Sequence, residues 1–157
     1  MTTPRSLTRD EFLYVVRNTP LVSIDIIIKD GQDNVLLGLR LNEPAKGKYF
    51  VPGGVIRKNE SIAAAFARII KAETGIDKPV SEATFIGVFE HFYETNTFGN
   101  PDFGTHYVVL AYELRLRQKP PVISDSQHAD FRWMSAREIR SALDVHPYSQ
   151  AYFMPIC

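Results

Sequence analysis

Residues Leu21 to Ile28, LVSIDIII, constrain this chain more than any other stretch. The run is β-branched and almost wholly apolar, so it predicts a central strand covered on both faces. A strand of that kind needs helices on each side of its sheet. Thr8 and Glu11 have capping-box spacing ahead of the apolar run Phe12 to Val16, which predicts a short helix ended before Pro20. Asp30-Gly31 and Asp33-Asn34 mark a turn into a second strand, Val35 to Leu41, making a hairpin. Residues 42–50 read as a loop that leads through Phe50-Val51 into Pro52-Gly53-Gly54. Good helix formers run from Ser61 to Thr74, with Gly75 placed to end that helix. Phe85 to Tyr93 and His106 to Leu116 are long aromatic-rich strand candidates, joined by a polar surface loop. Gln118 to Ser126 reads as another loop, and Ala129 to Met134 as a short strand. Ser135 with Glu138 repeats the capping-box spacing and starts a last helix to about Leu143. The order α, ββ, α, ββ, β, α predicts an α/β fold, a mixed β-sheet sandwiched between α-helices. No repeat, linker or low-complexity tract divides it, so residues 1–157 read as a single domain.

Lys+Arg and Asp+Glu both number 18, so no net field draws nucleic acid or an anionic membrane, and any anion must be recognised by local groups. No apolar run approaches the ~20 residues that span a bilayer, and the first residues lack the apolar core of a signal peptide. The one cysteine, Cys157, can make no internal disulfide, which fits a reducing compartment. The expected location is cytoplasmic.

The helix from Ser61 carries an odd carboxylate. At ~100° per residue, Ile62, Phe66, Ile69 and Glu73 fall on one stripe, while Arg68 and Lys71 lie on the other side. Glu73 thus projects from the apolar stripe, in the last turn, where the helix dipole disfavours an anion. Two readings fit. Either the helix end frays and Glu73 points to water, or the carboxylate finds a hard cation such as Mg²⁺. The two glycines just before the helix let the backbone approach a ligand closely.

Gly54-x5-Glu60-x7-Arg68-x4-Glu73-x-Gly75-Ile76 resembles the box of the Nudix hydrolase superfamily, with two departures. Ile69 and Ala72 stand where that box has glutamates. These losses, together with Leu37-Gly38-Leu39-Arg40, Phe50-Val51-Pro52-Gly53-Gly54, Glu90-His91-Phe92-Tyr93, Thr105-His106-Tyr107 and Gln127-His128, resemble its GDP-mannose mannosyl hydrolase branch over nearly the whole chain.

The resemblance implies the Nudix fold and one Mg²⁺, or Mn²⁺ in its place, held by Gly53, Glu73 and Gln127. It implies His128 as general base, and Asp25, Arg40, Arg68, His91 and Tyr107 at functional positions. It also implies a homodimer acting on a small-molecule nucleotide sugar, with no nucleic-acid or membrane partner. Val55 departs from the arginine common after the double glycine, and Arg57 shares its strand face. The expected reaction is hydrolysis of GDP-mannose, or GDP-glucose, to GDP and free sugar by water attack at the anomeric carbon with inversion. The rivals are pyrophosphohydrolysis to a nucleoside monophosphate and sugar phosphate, and a non-catalytic nucleotide-sugar-binding module. Read as residues alone, several of these positions have plain structural roles open to them. Arg68 could brace the loop by pairing with Glu60, Asp25 could be paired inside its strand, and His91 could be a hydrogen-bonded core histidine.

Overall fold

The run at residues 21–28 forms β1, Leu21–Lys29, at the centre of a computed structural model that describes residues 3–121 and 128–155. Around it stand α1 (Arg9–Asn18), β2 (Val35–Arg40), β3 (Tyr49–Phe50), β4 (Gly53–Val55), α2 (Ile62–Thr74), β5 (Ala83–Tyr93), β6 (Thr105–Arg115), β7 (His128–Met134), α3 (Ala136–Ser141) and α4 (Pro147–Gln150). The sheet runs β3-β2-β1-β6-β5, with β4 paired to β1 and β7 to β2. Among the described strand pairs only β1–β6 is parallel, from Leu21↔Tyr107 to Lys29↔Arg115, so the sheet is mixed as expected.

Successive residues of a strand point to opposite faces, and β1 uses both. Ile24, Ile26 and Ile28 are fully buried and pack with Phe66, Ile69 and Ile70 of α2. Ile27 faces the other way, into a second cluster with Val35, Leu37, Ile139 and Val145. Each such side chain contributes roughly 1.5–3 kcal/mol through burial. Ser23 and Asp25 share the parity of Ile27, so they turn away from α2.

The helix ends follow their sequence signals. In both capping boxes, Thr8/Glu11 and Ser135/Glu138, the side chain and backbone exchange the two expected hydrogen bonds. Ser61 accepts from the Ala64 N–H, and Gly75 closes α2 at φ 76°, a left-handed conformation suited to glycine. The predicted stripe of α2 holds for Phe66, Ile69 and Glu73 but not for Ile62, which is 43% exposed. Helical side chains lean toward the N-terminus, so a residue in the first helical position projects past the end of the packed turns.

The segment read as a loop carries the short strands β3 and β4. They have too few residues to show a period and exist because β2 and β1 offer ladder partners, Gly38↔Phe50, Leu39↔Tyr49 and Asp25↔Gly53. Among the described residues no helix is long and apolar enough to cross a membrane.

Candidate active site

A cleft of about 420 Å³ opens on the face of β1 turned away from α2. Strand parity explains its floor. Ser23 and Asp25 come from β1, Tyr107 from β6, and His91 and Tyr93 from β5, all on one side of the sheet. His91 stands opposite Tyr107 in the ladder, and Tyr107 opposite Leu21. Arg40, at the end of β2, closes one side and Gly53 of β4 another. The structure thus brings together Asp25, Arg40, His91, Tyr107 and Gly53.

Their electrostatics follow from burial. Asp25 is 7% exposed, and loss of solvation pushes its carboxyl up to about 7, against hydrogen bonding by Tyr152 and the charge of Arg40. His91 is 4% exposed, and burial, with a smaller push from His146, brings its imidazole down to about 4. It is therefore neutral near neutral pH. Its ring stacks on Tyr148 at 4.2 Å and 8° between planes. Burial raises the Tyr107 phenol above its ordinary value. The floor therefore offers a neutral imidazole and a phenol beside a carboxyl that burial makes reluctant to ionise, with Arg40 at its side.

Glu73 lies on the other side of β4. It is 7% exposed and lines a second cleft of about 930 Å³ with Ile69, Ala72 and Arg68 of α2. Gly54, Val55 and Phe12 line both clefts. A Cβ on Gly54 would lie 3.0 Å from Ile69 Cγ1, so α2 sits directly against β4. Glu73, one turn after Ile69, lines the same cleft as Gly54, while Gly53 lines the first. Frayed solvent exposure at the helix end is not what the structure has.

Among the described residues no three His, Cys, Asp or Glu side chains stand together as a metal set. The side-chain oxygen donor here is the buried Glu73 carboxylate, beside the β4 backbone. Oxygen donors of this kind suit a hard divalent cation whose other positions go to water or phosphate.

Arg68 braces the turn between β4 and α2. Its Nε donates to Glu60 Oε1 at 2.6 Å, and its Nη2 donates to Glu60 Oε2 and the Val55 carbonyl, both at 2.9 Å. The pairing holds the Glu60 carboxyl below the ordinary carboxylate range. Arg57 is exposed and lines the second cleft with Val55. His128 opens β7 and stands opposite Arg40 in the β2–β7 register. Gln127 and the side chain of His128 lie outside the described residues.

Two residues that touch side chains of this cleft were given no role by the sequence, Tyr148 and Tyr152. Tyr152 donates a 2.6 Å hydrogen bond to Asp25 Oδ2 across 127 residues of chain. Tyr148 is fastened to β5, its hydroxyl donating to the Phe92 carbonyl and accepting from the Phe92 N–H.

Residues 19–155 match the NUDIX domain. The chain is 37% identical over 143 residues to the low-salt glycan biosynthesis protein Agl8 of Haloferax volcanii, covering 91% of this chain and 86% of that one. It is 38% identical over 82 residues to an ADP-ribose pyrophosphatase of Methanocaldococcus jannaschii, covering 52% of this chain and 46% of that one. A MutT NUDIX hydrolase from Burkholderia pseudomallei superposes with a TM-score of 0.68 at 23% identity, over 87% of this chain and 97% of that one.

Proposed function

The chain belongs to the NUDIX family of hydrolases, and from that premise we propose that it hydrolyses a nucleotide-diphosphate sugar, GDP-mannose foremost, at the anomeric carbon. The observation that carries this is the surface of α2 beside β4. Ile69 is buried there against Gly54 and Ala72 lines the cleft, so of the three glutamate positions that follow the box arginine only Glu73 remains. Attack at phosphorus delivers water to a crowded anion and draws on several metals and carboxylates. Attack at carbon asks for a stabilised leaving group and one base.

In this reading Gly53, Glu73 and Gln127 hold Mg²⁺, or Mn²⁺, which when bound supplies positive charge to the diphosphate. Arg40, on the wall of the cleft, meets the charge that develops on the departing GDP. Asp25, His91 and Tyr107 orient the sugar and diphosphate from the floor. Arg68 serves by holding the turn after β4. His128 takes a proton from water; its backbone pairs with that of Arg40, which lines the cleft. The water oxygen bonds to C1, and the C1–O bond to the diphosphate breaks with its electron pair leaving on GDP. One displacement inverts the anomeric centre and yields GDP and β-mannose. The relative named for glycan biosynthesis fits a nucleotide sugar, the activated donor of glycosyl units. The homodimer belongs to the same reading, and the exposed Phe85, Val88 and Phe92 of edge strand β5 offer a surface for it.

Turnover of GDP-mannose with Mg²⁺ in ¹⁸O-water tests the reading. The expected products are unlabelled GDP and labelled mannose. Label in a phosphate would establish the second reading, pyrophosphohydrolysis, which kinship to the ADP-ribose pyrophosphatase favours.

A further inference from the structure

Asp25 is the one acidic residue inside the apolar run of β1, and its two oxygens have different neighbours. Oδ2 accepts the hydrogen bond from the Tyr152 hydroxyl at 2.6 Å. Oδ1 faces Gly53. A Cβ on Gly53 would fall 2.7 Å from the Ile24 carbonyl oxygen and closer still to Oδ1. Asp25 and Gly53 both line the cleft, so Oδ1 is the oxygen available on the Gly53 side.

Tyr152 comes from outside the sheet, on a 3₁₀ turn, Ala151–Phe153, that follows α4. The segment that carries it is fixed at several points. Ser149 Oγ accepts from the Val51 N–H at 3.0 Å. Gln150 Nε2 donates to the Ile139 and Ala142 carbonyls at 2.9 Å each, ending α3. Tyr148 is held to both backbone groups of Phe92. The Tyr152 ring then meets Phe89 edge-on, with centroids 4.9 Å apart. A hydroxyl mounted this way has lost its freedom before any ligand arrives, which is what pre-organisation requires.

We propose that Tyr152 is a positioning residue of this site, whose hydroxyl holds the Asp25 carboxylate so that Oδ1 faces Gly53 and the cleft. The inference rests on the reading that hydrolysis takes place in this cleft. It explains why a segment at the end of the chain is latched to β4's approach, to α3 and to β5 at once. The other groups around Asp25 do not replace Tyr152. Arg40 of β2 contributes charge, while Tyr93 of β5 and Tyr107 of β6 are phenols that burial raises, and His91 of β5 is neutral.

Tyr152→Phe keeps the ring and its Phe89 contact and removes one oxygen. Loss of a hydrogen bond to a buried charged group should lower kcat for GDP-mannose with Mg²⁺ by about 10- to 100-fold. A crystal structure of Tyr152→Phe should show the backbone unchanged and the Asp25 side chain turned, so that Oδ1 no longer faces Gly53. An unchanged kcat, or an Asp25 side chain that stays in place, would overturn the positioning role. Absence of wild-type turnover with any nucleotide sugar would sink the proposed function instead, and the crystal structure then still decides whether Tyr152 sets the Asp25 conformation.

Discussion

Replacing Asp25 by asparagine probes the balance between stability and chemistry in this cleft. Burial carries the Asp25 carboxyl from the ordinary 3.8 to about 7. Between those values the native protein binds one more proton than the unfolded chain. Stability therefore falls as pH rises through that window, and stays lower above it. At ~1.36 kcal/mol per pH unit the difference comes to roughly 4 kcal/mol as an upper bound. Asparagine removes the charge and still offers an oxygen to the Tyr152 hydroxyl. Near neutral pH and above, Asp25→Asn should be more stable than wild type by about 2–4 kcal/mol, and near pH ~4 the gap should close. For a chain of this size each kcal/mol moves Tm by roughly 2–4 °C. Thermal unfolding of both proteins in metal-free buffer, at several pH values, reads the difference, and groups that titrate alike in both cancel. Turnover should fall at the same time, since the costly charge is the one the site uses. A mutant that is no more stable than wild type at alkaline pH, or a gap that does not grow with pH, would refute the reasoning.

Three further outcomes follow from single contacts. His91 and His146 are both brought down to about 4, chiefly by burial, so their ring signals in NMR should stay neutral at about pH 6; midpoints near the ordinary 6.5 would mean that the rings are hydrated. Each contributes stability that is present above about 6.5 and lost as pH falls toward 4. Gly53→Ala would drive a methyl into Asp25 Oδ1 and the Ile24 carbonyl, and should lower stability by about 1–3 kcal/mol in urea unfolding while displacing Asp25; a neutral substitution would show that β4 yields easily. Arg68→Ala should cost about 1–3 kcal/mol, because it removes the paired bonds to Glu60 and the bond to the Val55 carbonyl, and Arg68→Lys should recover only part of it. Full recovery by lysine would mean that charge alone, and not the fork, holds the turn.

Local chemistry determined much of this protein. The caps at Thr8, Ser135 and Gly75, the two-faced strand β1 and the mixed sheet between helices are legible because each depends on neighbours within a few residues or on a short period. The apolar stripe of α2 likewise places Glu73 on the buried side. The motif supplied Arg40, His91 and Tyr107 as candidates, and strand parity then explains why they share one cleft with Asp25. The tertiary structure alone decided the rest. Strands β3 and β4 are too short to announce themselves and form only against partners already in place. No local pattern links Tyr152 to Asp25 or Tyr148 to His91, because those contacts close loops of many tens of residues and are rewarded only after the sheet exists. The cleft's electrostatics are of the same kind. A side chain's type and spacing are written in the chain, but its solvation depends on everything that packs around it.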